Sequence, residues 1–240
     1  MVQKLIVLIA ILLGGLGSVL AWPRILLSVL LTIFPKIVWE GPRFGNSIAL
    51  TFDDGPDPAF TPQVLKILET YNIKATFFLV GERARRYPDL VNSIRAAGHE
   101  IGNHSNSWRK TISLPPGSLE EDLLEAERAL GLDRQPKFFR PAGVLIGPKQ
   151  LQIVRKNNYP CVLGSAYAFD PHHPPAAYIK WAIRRSLRPG AIIVLHDSGG
   201  DRSNTIRALP TIIADAQKRG LRFRTLSEFL PQNLSIDQNS

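Results

Sequence analysis

From Ser47 onward, short apolar runs alternate with amphipathic stretches, and this rhythm constrains the fold more than any other feature of the chain. Runs at 48–52, 75–80, 100–103, 138–140, 159–163, 191–195 and 222–225 have the length and composition of strands. Strand and helix in strict alternation build an α/β fold with a parallel sheet, because each helix returns the chain to the same sheet edge. The helices have readable ends. Thr61-Pro62 predicts an N-cap followed by proline at the first helical position, and Ser118 to Glu121 matches a capping box. Gly98, Gly131 and Gly220 stand where a left-handed residue would end a helix. No internal repeat or low-complexity tract interrupts the pattern.

The reactive side chains fall where the apolar runs stop. Asp53 and Asp54 follow the first run, His104 the third, Arg140 closes the fourth, and His196 follows the sixth. In parallel α/β folds the carboxyl ends of the strands share one face, where ligands bind. Five polar residues distant in sequence are therefore expected to meet. Each has a plainer reading: Asp53-Asp54-Gly55-Pro56 is good turn chemistry, His104 suits a satisfied loop histidine, and Arg140 a salt bridge to a helix. Their shared placement is what favours a site. His99 precedes its strand and reads as structural, and Cys161, the only cysteine, lies in an apolar run and reads as core.

The first 36 residues differ in kind. Leu5 to Trp22 is uncharged and close to the length that spans a hydrocarbon layer, and a second apolar stretch, 25–34, is too short to span alone. Residues 1–36 read as a membrane anchor, or as a signal segment if cleavage follows Val19-Leu20-Ala21, which would release a secreted protein. Either reading places the domain outside the cytoplasm. Residues 37–46 read as a linker, 47–229 as one catalytic domain and 230–240 as a polar tail. Lys and Arg exceed Asp and Glu by 29 to 20, a formal charge of +9, but the excess is scattered over helical faces, which argues against nucleic acid as a partner. The sequence leaves oligomeric state open.

Four ordered motifs carry a family resemblance. Thr51-Phe52-Asp53-Asp54-Gly55-Pro56, Gly98 through Ser105, Phe139-Arg140-Pro141 and Val194-Leu195-His196 resemble the successive motifs of the polysaccharide deacetylases, the NodB homology domain of carbohydrate esterase family four. The resemblance implies a distorted (β/α)7-type barrel that removes N-acetyl groups from amino sugars of a polysaccharide with the help of a divalent metal, zinc or cobalt. It implies Asp53 as general base, Asp54 and His104 as metal ligands, Arg140 as the orienter of Asp53, and the N–H near Gly143 as an oxyanion donor. His196 is implied as the acid that protonates the departing amine, with Asp170 orienting it.

The chain departs from the family pattern in one place that bears on the metal. The family's second histidine, four residues after the first, is Trp108 here, and the second proline of the third motif is Ala142. Catalytic zinc normally takes three protein ligands. Either another group such as His172 or His173 completes the shell, or the metal binds weakly with extra water, or the domain is a metal-poor carbohydrate-binding pseudoenzyme.

Overall fold

The computed structural model describes residues 34, 36–132 and 137–230. The apolar stretches expected to form an anchor or signal, and the tail after Leu230, lie outside the described residues, apart from Phe34 and Lys36. Among the described residues no helix is long and apolar enough to cross a membrane.

Eight strands are ordered along the chain: β1 (Ile37–Val38), β2 (Ser47–Asp53), β3 (Thr76–Leu79), β4 (Glu100–Asn103), β5 (Cys161–Val162), β6 (Ala166–Tyr167), β7 (Ile192–His196) and β8 (Arg222–Arg224). All pairings are parallel. The main sheet runs β4-β3-β2-β7-β6, with β8 beside the first half of β2. The helices are α1 (Thr61–Thr70), α2 (Gly81–Arg86), α3 (Pro88–Ala96), α4 (Pro116–Leu130), α5 (Pro148–Lys156), α6 (Ala176–Ser186), α7 (Ser203–Lys218) and α8 (Leu226–Phe229). Six of the seven β2 residues and four of the five in β7 are buried, because both faces of these strands are covered, and this is why they read as continuous apolar runs.

The pairings continue around a ring, which makes the sheet a distorted barrel. Phe139 bridges Asn103 on one side and Cys161 on the other. β5 also pairs with β1, and Gly41, three residues past the end of β1, donates to Gly190 O at 2.9 Å beside β7. Above that level the chain bends at Gly164 and β6 pairs with β7 directly. Gly164 has φ +122, and a Cβ there would meet Val194 Cγ2 at 2.6 Å, so the bend requires glycine.

Several local expectations are corrected. The strand predicted over 138–140 is a single bridge at Phe139, since Pro141 has no N–H with which to extend the ladder. The run 159–163 shortens to β5 and a further strand, β6, follows it. Residues 37–46 are more than a linker: Ile37 and Val38 form β1, and Trp39 is buried in the barrel wall. The N-cap of α1 is Phe60, with Thr61 inside the helix; the Thr61 hydroxyl instead donates to Asp197 and accepts from Asp57 N–H at 2.7 Å. α4 starts at Pro116, ahead of the anticipated capping box, with no side-chain cap. Gly98, Gly131 and Gly220 do take positive φ.

Glu100 fastens the carboxyl-terminal helix to the barrel. Its carboxylate accepts from Thr76 Oγ1 at 2.7 Å, from Leu226 N–H at 2.9 Å, and from the Ser227 N–H and hydroxyl. Glu100→Ala leaves these donors without a partner, at a cost of about 1–3 kcal/mol. Urea denaturation is expected to show that loss of unfolding free energy with no change of fold; an unchanged midpoint would mean water replaces the carboxylate without cost.

Candidate active site

β2 and β7 are neighbours in register, so Asp53 and His196 are direct cross-strand partners at the carboxyl ends of their strands. Adjacent strands lie about 4.8 Å apart, and paired residues leave the sheet on the same side. The turn after β2 puts Asp54 at φ +72, which directs it away from Asp53. Two adjacent carboxylates thus face different partners.

Asp53 is held by Arg140. The guanidinium Nη1 donates to Asp53 Oδ1 at 2.6 Å and to Thr51 Oγ1 at 2.7 Å, while Nε donates to Val162 O at 3.1 Å. The Phe78 ring lies under the guanidinium carbon at 4.1 Å. Both partners of the ion pair are buried. A charge this deep is tolerated only with such a partner, and removing either member leaves the other uncompensated.

Asp54 faces His104. Their Oδ1 and Nε2 atoms are 3.3 Å apart, and His104 Nδ1 lies 2.8 Å from Arg140 O. A carbonyl only accepts, so Nδ1 carries the hydrogen and Nε2 presents its free valence to Asp54. That arrangement, an imidazole anchored by a backbone carbonyl with its other nitrogen beside a carboxylate, suits a divalent cation. Burial alone would raise the Asp54 carboxyl, but the hydrogen bond and charge of His104, with His196 and Arg202, hold it below its usual range. Burial disfavours a charged His104, and the facing Asp53 and Asp54 overcome it and raise its pKa.

His196 is fixed by Asp170. Nδ1 lies 2.9 Å from Asp170 Oδ1, and the His196 N–H donates to Asp170 Oδ2 at 2.8 Å. Thr205 Oγ1 donates to the same carboxylate at 3.0 Å, and the buried Arg202 donates to the Asp170 carbonyl at 3.0 Å. Burial would lower the imidazole pKa, yet the charge and hydrogen bond of Asp170 raise it to about 9.

The remaining candidates divide. Gly143, at φ +77, lies in the loop after Arg140, and its N–H makes no hydrogen bond with the described residues. His172 is exposed, and His173 is turned so that Nδ1 meets Asp201 O at 2.8 Å. Among the described residues no three His, Cys, Asp or Glu side chains gather as a metal cluster. Trp108 is half exposed at the edge of the site. A Cβ on Gly199 would lie 3.1 Å from Asp54 Oδ2 and 3.4 Å from Trp108 Cζ2, which sets the indole close to Asp54. His99 lies at the other end of β4, where Nδ1 accepts from Ala75 N–H at 3.2 Å and burial lowers its pKa to about 4.

Sequence reasoning missed the supporting groups. Thr51 was read only as part of a motif and Thr61 only as a helix cap, and Arg202, Thr205 and Asp197 were not singled out. Asp197 is wholly buried against Gly55, accepts from Thr61, and has its pKa raised by burial to about 7. Its place directly after His196 was the available signal. Arg202 had none.

A carboxylate held by Arg140 and an imidazole held by Asp170 stand on neighbouring strands at the barrel rim, with the Asp54–His104 pair beside them, and this is the arrangement of a hydrolase. The model of the polysaccharide deacetylase family matches residues 41–162. A peptidoglycan-N-acetylglucosamine deacetylase of Bacillus cereus is 38% identical over 198 residues, covering 81% of this chain and 92% of that protein. The crystal structure of the Bc1960 peptidoglycan N-acetylglucosamine deacetylase superimposes with a TM-score of 0.79 at 33% identity, covering 84% of this chain and 95% of the other. A family 4 acetyl xylan esterase of Clostridium thermocellum in complex with a cobalt ion gives a TM-score of 0.71 at 33% identity, covering 79% and 94%. The chain belongs to the polysaccharide deacetylase family.

Because the His196 pKa in the folded protein lies above its ordinary 6.5, its pairing with Asp170 stabilises the fold fully below that value and loses the contribution as pH rises through about 9. The difference in unfolding free energy between the wild type and Asp170→Asn is expected to narrow across this range in denaturant titrations. A difference independent of pH would show that His196 is not charged in the folded protein.

Proposed function

We propose that this protein is a metal-dependent deacetylase that removes the N-acetyl group from N-acetylglucosamine-type residues of a cell-envelope glycan, with its domain outside the membrane and residues 1–36 as tether or signal. The observation that carries the reading is the registry of Asp53 with His196, a fixed base and a fixed acid on neighbouring strands with the Asp54–His104 pair beside them. The names of the relatives support peptidoglycan as the glycan to test first.

The Asp54–His104 pair fits a divalent cation with two protein ligands, and the remaining positions are left to water and substrate; zinc and cobalt both accept this donor set. Such an ion supplies Lewis acidity toward the acetyl carbonyl and lowers the pKa of a water. Asp53, kept oriented by Arg140, takes the proton of the attacking water. The Gly143 N–H points its donor at the oxygen on which charge develops. His196, positively charged through Asp170, gives its proton to the amine nitrogen as the carbon–nitrogen bond breaks, so the leaving group departs neutral.

Each proton-transfer group contributes about two to four powers of ten. Asp53→Asn and His196→Ala are therefore expected to lose at least about a hundredfold in acetate release from peptidoglycan while keeping the wild-type circular dichroism spectrum, at a lowered melting temperature because Arg140 or Asp170 loses its partner. Full activity in either variant rejects its assigned role. Wild-type protein that binds acetylated glycan and releases no acetate with zinc or cobalt present would make the domain a carbohydrate-binding pseudoenzyme.

Trp108 stands where the third ligand would be. Trp108→His is expected to tighten cobalt binding by at least tenfold in calorimetric titration, since a third ligand joins two already placed. Unchanged affinity would show that position 108 does not face the cation.

A further inference from the structure

The end of the barrel opposite the catalytic rim carries a surface that the reaction does not use. The helices run back from the rim, and α3 through α7 each place Arg or Lys in the last turn. Each such residue complements its own helix dipole. Together they make that end of the molecule basic. β8 adds Arg222 and Arg224, both exposed, with Phe223 turned inward between them. Neither guanidinium has a hydrogen-bond or ion-pair partner among the described residues. With Asn46, Asn72 and Gln217 they line an open groove of about 560 Å³.

The acids at this end are already engaged. Glu40 pairs with Arg43 and Arg188, Asp215 lies 3.8 Å from Arg184, and Glu100 is occupied by α8. At the catalytic rim the acids Asp53, Asp54, Asp57, Asp170, Asp197 and Asp201 stand among cations that are bonded to rim groups, with Arg83 on Asp57, Arg140 on Asp53 and Arg202 on the Asp170 carbonyl. What sets the far end apart is that Arg222 and Arg224 are exposed and have no partner among the described residues, whereas the rim guanidiniums of Arg83, Arg140 and Arg202 are bonded.

Two further features share the basic end. Phe44 is 85% exposed in the loop between Gly41, which bonds Gly190, and Ser47, which starts β2. The chain also enters here: β1 begins at Ile37 after an exposed Lys36, directly downstream of the apolar sequence at 25–34. A projecting aromatic ring at the same end as two unpaired guanidiniums is the composition that settles at a lipid headgroup layer.

We propose that this end of the domain docks on an anionic phospholipid surface, with Phe44 at headgroup level and Arg222 and Arg224 against the headgroup phosphates. Docking in that pose aims the catalytic mouth away from the lipid. It also fixes the orientation of the domain relative to the lipid surface.

The test uses the full chain carrying Phe44→Cys labelled with an environment-sensitive fluorophore; Cys161 is buried, with its pKa pushed up to about 12, and does not compete for label. Vesicles of phosphatidylcholine are compared with vesicles containing phosphatidylglycerol. The label is expected to shift to the blue on the anionic vesicles and to return as salt is raised, whereas a label at Val144→Cys on the catalytic rim stays unshifted. Adding Arg222→Gln and Arg224→Gln, both exposed and unpaired, is expected to weaken partitioning roughly 30-fold at an unchanged melting temperature. An equal shift on both lipids that survives the double substitution overturns the proposal. So does the absence of any shift at position 44, including the case in which the domain is retained by double-stranded DNA instead.

Discussion

The buried ion pair between Arg140 and Asp53 is the constraint on which the rest of the site depends. A guanidinium sealed beneath the rim, with Phe78 under it and Thr51 beside it, has one carboxylate within reach. That engagement separates two chemically identical neighbours. Asp53 is committed to Arg140, and Asp54, at a left-handed backbone position, is left to His104. The same residue acts twice, because the Arg140 carbonyl also fixes the His104 tautomer. An error at position 140 would therefore reach the base, the ligand pair and the packing of the barrel wall together.

A second constraint is where the parallel fold places its charged groups. Strand carboxyl ends gather acids around the substrate space, and helix carboxyl ends gather cations at the far end for dipole reasons. The first arrangement gives the rim its carboxylates, and the second leaves Arg and Lys at the far end. Neither needs a dedicated domain, and both follow from running every strand parallel.

The strand rhythm was legible because β2 and β7 are covered on both faces, which makes each a nearly unbroken apolar run ending in its reactive residue. The barrel wall between β4 and β6 was less legible. There the pairing is carried by the single bridge at Phe139 and by two-residue strands, and no periodicity survives at that length. β1 went unread because a two-residue strand after an apolar segment has the composition of a linker. Within the site, the residues that end strands were found by position alone. The groups behind them were not: Arg202 reaches Asp170 from the start of α7, and Thr61 reaches Asp197 across the sheet, through contacts that local pattern does not encode. The capping motifs failed for a related reason, since the Thr61 hydroxyl was recruited to the site and not to its own helix end.

The division of labour between the paired carboxylates is tested most directly by calorimetric titration of cobalt into the wild type, Asp53→Asn and Asp54→Asn. The account predicts that Asp54→Asn abolishes binding while Asp53→Asn retains it within a few-fold. Loss of binding in Asp53→Asn with retention in Asp54→Asn would contradict it, and so would equal losses in both.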